Sequence, residues 1–265
     1  MTQAIDVLFP SSAEEAISVF GDGSGVTVIG GGTIVVPELT YGKLRPTRAL
    51  MLARAGLDTL DVDGATVTVG AGLPIDRLAS LADDVKALAQ CALNVADYEV
   101  RRQGTVGGNL CAGPGADAPR GDLQGPFLAL DATARSVGGD GETSEPLEAF
   151  LSHREGRLLL DLRFEKPAAS AFAAIDYPHT HSYTVLAVTG VRGAAGETRL
   201  AATGLAGPGT RLRSAEAAAV DPEKAAAAAL DDVTFADDAL ASAWYRQRTL
   251  PTLVRHVLAE LEEAS

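Results

Sequence analysis

Three consecutive glycines directly behind a β-branched run constrain the fold of this chain more than any other feature. Residues 26–37 read VTVIGGGTIVVP, in which a predicted strand, Val26–Ile29, runs into the glycines at 30–32. The simplest explanation is a tight turn, because glycine adopts positive φ without strain, but one glycine would be enough for that. The other explanation is a nest, in which successive backbone N–H groups converge on a diphosphate and Thr33 adds a hydroxyl donor.

Two familiar phosphate-binding motifs fit this stretch poorly. A Rossmann fingerprint needs G-x-G-x-x-G spacing and a helix that begins at the glycines. The residues that follow, TIVVPEL, are β-branched and meet Pro37, so we expect no helix there. A P-loop would need Gly-Lys-Ser or Gly-Lys-Thr behind the glycines. The turn and a non-helical anion nest therefore remain.

A second glycine-rich stretch, residues 101–122, favours the nest. Its six glycines and two prolines predict a long irregular loop, which inside a compact domain is usually functional or disordered. Paired glycines again stand beside a threonine in TVGGN, residues 105–109, so the two stretches would form two walls around one phosphate-bearing ligand. Asn109 can donate and accept hydrogen bonds, and Asp117 can accept them from sugar hydroxyls or lie in a solvated turn.

The remaining patterns alternate between helices and strands. Ser12 and Glu15 form a capping box for a helix that packs Ala16, Ile17 and Phe20. The other predicted elements are a hairpin turning at 63–64, a helical segment over 74–92, strands over 126–137 and 157–167, paired strands over 182–193 and 198–207, and helices over 214–220, 221–230 and 237–263, the last broken or kinked near Pro251.

Composition excludes several classes of function. A net charge of −13 at pH 7 disfavours nucleic acid as a partner. No apolar run approaches the ~20 residues of a membrane span, and the acidic start MTQAIDVLFP is unlike a secretory signal. Cys91 and Cys111 are too few for an iron–sulfur or structural zinc site, which typically has about four ligands. We expect both to be reduced and packed in a cytoplasmic protein.

The other candidates carry weaker signals. His179 and His181 alternate along the chain and could ligate a metal, but no third ligand is evident, so no metal site is predicted. Trp244 and Tyr245, four and five residues after Leu240, are expected to pack in the core. No arrangement of Ser, His and Asp or of Cys and His indicates a catalytic nucleophile.

Four segments together resemble the FAD-binding medium subunit of molybdenum hydroxylases, in the carbon monoxide dehydrogenase and xanthine dehydrogenase group. They are GGGT, TVGGNL…AGPGADAP, LALDATARSV and WYRQRTLPTLVRHVLAEL, and the resemblance covers nearly the whole chain. It implies an α+β fold, with a two-subdomain FAD-binding module of the vanillyl-alcohol oxidase (PCMH) type followed by a C-terminal domain of antiparallel sheet plus helical bundle. The implied units are 1–166, with subdomains of about 1–55 and 56–166, and 167–265.

The same resemblance implies where FAD lies. Its diphosphate would sit on the main chain of residues 29–33 and 105–108, Asn109 and Asp117 would hold the ribityl and ribose region, and Leu160 would touch the flavin. Tyr177 or Tyr183 could stack near the ring, but the stronger expectation for both is placement in the core or at the surface. The implied cofactor-binding residues are Val28, Ile29, Gly30, Gly31, Gly32, Thr33, Thr105, Val106, Gly107, Gly108, Asn109, Asp117 and Leu160.

The implied function is electron transfer inside a complex. A large partner chain would carry the molybdenum cofactor, and a small one would carry two [2Fe–2S] clusters. This chain would take electrons from those clusters and pass them to an external acceptor, in a dimer of heterotrimers. Two alternatives stay open: a self-contained FAD oxidoreductase of the same fold, and a scaffold subunit without cofactor.

Overall fold

A three-stranded parallel sheet begins the fold. The computed structural model describes residues 5–113, 121–176 and 183–264. The sheet has the order β1-β3-β2, and a helix connects each strand to the next along the chain, as parallel pairing requires. Its elements are β1 (Asp6–Leu8), α1 (Ala13–Phe20), β2 (Val26–Ile29), α2 (Val35–Thr40) and β3 (Arg48–Met51).

The capping-box helix is confirmed as α1. The Ser12 side chain accepts a hydrogen bond from the Glu15 N–H at 3.2 Å, while the Glu15 carboxylate accepts from Ser11 rather than from the N–H of Ser12. Ala16 and Phe20 are buried. They pack in a cluster that also holds Leu50 of β3, and this packing anchors α1 on one face of the sheet.

Helix α2 contradicts the prediction that no helix follows the first glycines. Pro37 lies in its first turn, where a missing N–H costs no helical hydrogen bond. The helix is tied to the loop before it, since the Val36 N–H donates to the Gly32 carbonyl at 3.0 Å. Tertiary context therefore outweighs the weak helix propensity of the β-branched residues.

A five-stranded antiparallel sheet follows, in the order β4-β5-β8-β6-β7. The predicted hairpin is confirmed, and Gly64 turns it with a φ of +59°. The elements are β4 (Leu60–Asp63), β5 (Thr66–Gly70), a 3₁₀ helix (Ile75–Leu81), α3 (Lys86–Asn94), α4 (Tyr98–Gln103), α5 (Val106–Leu110), α6 (Gln124–Ala129), β6 (Thr133–Gly138), β7 (Gly141–Pro146), α7 (Leu147–His153) and β8 (Leu158–Glu165).

Two predictions in this region are wrong in part. The stretch predicted as an irregular loop contains the end of α4 and all of α5, because side chains cap both helices: Asp97 accepts from the Val100 N–H at 2.8 Å, and Thr105 accepts from the Gly108 N–H at 3.1 Å. The strand predicted over 126–137 begins as α6, with Pro126 in the first turn, and only its second half is β6.

The third sheet is antiparallel, in the order β12-β11-β10-β9, and is covered by helices. The predicted pair β10 and β11 is confirmed, whereas β9 was missed. The long C-terminal helix begins at residue 243 instead of 237 and continues unbroken through Pro251. The elements are β9 (Ala169–Asp176), β10 (Thr184–Arg192), β11 (Thr198–Thr203), β12 (Thr210–Arg211), α8 (Arg213–Ala217), α9 (Pro222–Ala228), a 3₁₀ turn (Ala229–Asp231) and α10 (Ala243–Glu263).

Candidate functional site

The first glycine stretch lies at the carboxyl edge of the parallel sheet, between β2 and α2. The backbone N–H groups from Gly30 to Ile34 donate no hydrogen bond to any residue that the structure describes. Gly32 has a φ of +75°, which turns the chain between the strand and the helix. Consecutive N–H donors without internal acceptors, in the loop behind a parallel strand, are typical of an anion-binding site.

The structure brings the two glycine stretches into direct contact. A Cβ on Gly31 would overlap the carbonyl oxygen of Gln103, and one on Gly30 would lie 2.5 Å from the Thr105 Oγ1. The Thr33 Oγ1 lies near Gly104, 3.5 Å from where a Cβ on that glycine would be. Glycine is therefore required at 30 and 31 by the close approach of α4 and the Thr105 cap.

The second stretch is not an open nest, because its N–H groups have internal acceptors. Val106 donates to the Leu73 carbonyl at 2.9 Å, and Gly107 donates to the Ala71 carbonyl at 2.7 Å. Gly108 donates to the Thr105 hydroxyl, as described above. Gly107 is buried against Ala71, whereas Gly108 is exposed. What α5 offers a ligand is thus a side-chain-free surface at Gly108.

The other implied contacts lie in different surroundings. Asn109 is 7% exposed, and its Oδ1 accepts from the Leu123 N–H at 2.9 Å, so this oxygen holds α6 in place. Leu160 is 1% exposed in the cluster beneath the parallel sheet and leaves almost no surface for a ligand. In β2, Val28 is half-buried and Ile29 is buried. Asp117 lies outside the described residues.

Several expectations outside the glycine loops need correction. Trp244 is 65% exposed, with the Arg248 guanidinium 5.3 Å from its ring centroid, and Tyr245 is also exposed, so neither packs in the core. Both cysteines are free. Burial raises the pKa of the Cys91 thiol; Cys111 has an exposed surface instead of being packed, yet the protein around its thiol still raises the pKa of that group to about 11. Tyr183 is exposed.

The histidine pair and Tyr177 fall outside the described ranges. Within those ranges, no cluster of three or more His, Cys, Asp or Glu side chains is arranged to hold a metal ion. Across the same residues, no helix combines the length and the apolar character that crossing a membrane requires.

Two positioning side chains were missed from the sequence. The Arg101 Nη1 donates to the carbonyls of Val95 and Ala96 at 2.9 and 2.8 Å, which fixes the turn before α4 and hence the end of that helix at Gln103. Gln124 is fully buried and hydrogen-bonded to two segments. The Arg101 contacts are local but follow no standard capping pattern, and the Gln124 bond to Gly209 joins residues far apart in sequence, so sequence patterns revealed neither.

Comparison with known proteins decides the family. A family model described as "FAD binding domain in molybdopterin dehydrogenase" matches residues 3–163. The chain belongs to this family. The resemblance seen in the sequence is thereby confirmed: the chain is an FAD-binding medium subunit of the molybdenum hydroxylase type and an oxidoreductase component.

Individual relatives agree with this assignment. The chain is 26% identical, over 284 aligned positions, to the alpha subunit of the 6-hydroxypseudooxynicotine dehydrogenase complex of Paenarthrobacter nicotinovorans, covering 97% of this chain and 94% of that one. It is 29% identical to the carbon monoxide dehydrogenase medium chain of Hydrogenophaga pseudoflava over 53% of this chain and 50% of that one. A solved carbon monoxide dehydrogenase structure from H. pseudoflava superposes with a TM-score of 0.86 at 23% identity, covering 100% and 99% of the two chains. The predicted fold class is confirmed.

Proposed function

We propose that this chain is the FAD-carrying electron-transfer subunit of a molybdenum hydroxylase complex. In that role it receives electrons from [2Fe–2S] clusters of a partner chain and delivers them to an external acceptor. The observation that carries the proposal is the run of N–H groups from Gly30 to Ile34 without acceptors among the described residues, in a chain of an FAD-binding family. Bound flavin supplies a carrier able to exchange electrons singly or in pairs.

The residues of the first glycine loop fit a diphosphate. Its backbone N–H groups donate to the phosphate oxygens, the absent side chains at 30–32 allow close approach, and the Thr33 hydroxyl adds a donor. We propose that the second stretch contributes differently from the first. Thr105 closes the loop from its far side and Gly108 lets the ligand approach, while Val106 and Gly107 pack against β5 and the residues behind it.

The remaining cofactor contacts are proposed from the family resemblance. Asn109 and Asp117 are placed at the ribityl and ribose region, with the Asn109 Oδ1 kept on Leu123. Leu160 is placed beside the flavin, which requires the cluster around it to open. The proposed units are 1–166, itself divided near residue 55, and 167–265, and the proposed location is the cytoplasm.

The proposed partners are a large subunit with the molybdenum cofactor and a small iron–sulfur subunit, in a dimer of heterotrimers. Two relatives are named as a subunit of a dehydrogenase complex and as a medium chain, which supports partner subunits. The chain itself has two cysteines, so it cannot supply the thiolate ligands of [2Fe–2S] clusters. We therefore propose that a separate chain carries them.

Reoxidation of the purified complex tests this function. The complex is reduced with dithionite, with or without prior removal of FAD, and mixed with NAD⁺, a quinone, cytochrome c or oxygen while the cluster absorbance is followed. We expect rapid cluster reoxidation by one of these acceptors only when FAD is present. Equal rates without FAD would contradict the proposal, and a lone chain that turns over substrate would favour a self-contained oxidoreductase.

A further inference from the structure

Gln124, the first residue of α6, is a fully buried amide whose two ends contact different parts of the fold. Its Nε2 donates to the Leu110 carbonyl at 2.7 Å and lies 3.4 Å from the Ala112 carbonyl, both at the C-terminal end of α5. Its Oε1 accepts from the Gly209 N–H at 2.7 Å, in the loop between β11 and β12. One side chain thus joins α5 to the third sheet.

Two glycines pack closely against this side chain. A Cβ on Gly121 would lie 2.6 Å from the Gln124 Nε2, and a Cβ on Gly209 would lie 2.8 Å from its Cβ. The neighbouring Leu123 N–H donates to the Asn109 Oδ1, so α5 holds the start of α6 by two adjacent bonds. An apolar side chain at 124 would leave the part-buried Gly209 N–H without this acceptor, and a donor that is shielded from water and unpaired costs stability.

We propose that Gln124 is a positioning residue that couples α5, and with it the surface at Gly108, to the loop between β11 and β12 of the third sheet. The inference rests on the FAD site proposed above. If FAD binding and attachment of this loop stabilise the same position of α5, each strengthens the other by the same factor, as linkage requires. The third sheet then contributes to cofactor affinity through Gln124.

Two variants test the coupling through a pH profile. Gln124→Met keeps the approximate volume and removes both hydrogen-bonding ends, so FAD affinity should fall about tenfold, within the usual range of coupling between sites. Gln124→Glu presents a carboxylate to the Leu110 and Ala112 carbonyls at pH 8 and should be equally weak there. At lower pH its protonated form donates to Leu110 and accepts from Gly209, so affinity should return. Burial raises a carboxyl pKa above the usual value of about 4.3, which places this recovery at accessible pH.

The measured quantity is the ratio of variant to wild-type FAD affinity at each pH from about 8 to 5. Among the described residues, the ionisable groups on the segments around α6 include Cys91, Asp122, Asp131, Arg154, Arg199 and Arg211. Gln124→Met contains the same groups and adds no titratable one, so a recovery at low pH that occurs in Gln124→Glu and not in Gln124→Met belongs to the carboxyl at 124. Ser136→Ala serves as the control, because this serine is fully buried in β6 and its hydroxyl accepts from Arg157 rather than contacting α5 or the Gly209 loop by a hydrogen bond.

Hydrogen exchange in the wild type gives a second readout that needs no variant. Added FAD should slow exchange at the Gly209 amide in a peptide spanning 204–212. Unchanged exchange at the Gly209 amide would overturn the coupling. The coupling would also be overturned if both Gln124 variants bound FAD as tightly as wild type and only their melting temperatures fell. The two proposals fail separately. Unchanged amide chemical shifts at 30–34 on addition of FAD would refute the proposed site, whereas shifted amides there together with wild-type FAD affinity in both Gln124 variants would refute the coupling alone.

Discussion

Gly31 lies directly against the carbonyl oxygen of Gln103, so closely that a Cβ at position 31 would overlap that oxygen. The contact joins the loop behind β2 to the end of α4, from which the chain continues through Gly104 to Thr105. The two glycine stretches are therefore one structural unit, and the shape of each depends on the other.

Replacement of Gly31 by alanine should separate the two stretches. Overpacking against the main chain is expected to cost about 1–3 kcal/mol of unfolding free energy. FAD affinity should fall by more than tenfold, because the loop that carries the free N–H groups is displaced. A factor of ten corresponds to about 1.4 kcal/mol of binding free energy. Urea unfolding and FAD titration measure the two effects.

The matched control for this substitution is Gly207→Ala. A Cβ at 207 meets no atom within 4 Å, and its backbone does not have the positive φ that strains other residues. It should leave the free energy of unfolding unchanged, and only this quantity is compared, because residue 207 lies in the loop that Gln124 is proposed to couple to the FAD site. If Gly31→Ala behaved like this control, the close packing of the two stretches would be refuted.

The adjacent glycines of α5 should respond in opposite ways to alanine. A Cβ at 107 would lie 2.9 Å from the Ala71 Cβ and carbonyl oxygen, so Gly107→Ala should destabilise the protein even without FAD. Gly108 is exposed, and the helix propensity gained there, about 0.5–1 kcal/mol, offsets a 3.0 Å contact with the Thr105 Oγ1.

The stability of Gly108→Ala should therefore stay close to wild type, while its FAD affinity falls because a methyl group occupies the surface offered to the ligand. Thermal unfolding without FAD and an FAD titration separate the two effects. Wild-type FAD affinity in Gly108→Ala would remove α5 from the proposed site.

The sequence predicted the elements whose patterns are local. The capping pair at Ser12 and Glu15, the β-branched run of β2 and the hairpin at Gly64 each determine their own backbone, and all three were confirmed. Helices α2 and α5 were missed because proline or glycine lies inside them. In both helices these residues lie in the first turn. The missing N–H of Pro37 costs no helical hydrogen bond there, and the Thr105 side chain caps the first turn of α5.

Orientation and long-range contacts could not be predicted in the same way. The rotation of α10 about its axis places Trp244 in solvent and Arg246 in the core, and it depends on the third sheet that α10 covers. The contact between Gly31 and Gln103 joins residues that are 72 positions apart in sequence. Two glycine motifs suggested a shared site, but only the fold shows that their N–H groups differ in availability.

Arg246 should contribute strongly to the free energy of unfolding of the C-terminal part of the chain. It is 1% exposed, donates to the carbonyls of Val185, Ala236 and Ala241, and contacts both carboxylate oxygens of Asp238 at 2.8 Å. Removing one partner of a buried pair typically costs about 3–5 kcal/mol, because the other charge stays buried. Arg246→Met should lose stability of that order in urea unfolding.

Arg248→Met provides the comparison for Arg246, since Arg248 is exposed and stacks on the equally exposed Trp244. An exposed cation–π contact is worth about 0.5–1 kcal/mol, so this variant should lose no more than that. Equal losses in the two variants would mean that the buried hydrogen bonds of Arg246 do not stabilise the C-terminal part.

The central claim is that the FAD diphosphate binds the backbone N–H groups of residues 30–34. Amide chemical shifts of ¹⁵N-labelled protein, recorded with and without FAD, test it most directly. We predict large shifts and slower exchange for the amides of 30–34, and much smaller changes at Val106 and Gly107, whose N–H groups already have acceptors. Unchanged amides at 30–34 in FAD-saturated protein would contradict the claim.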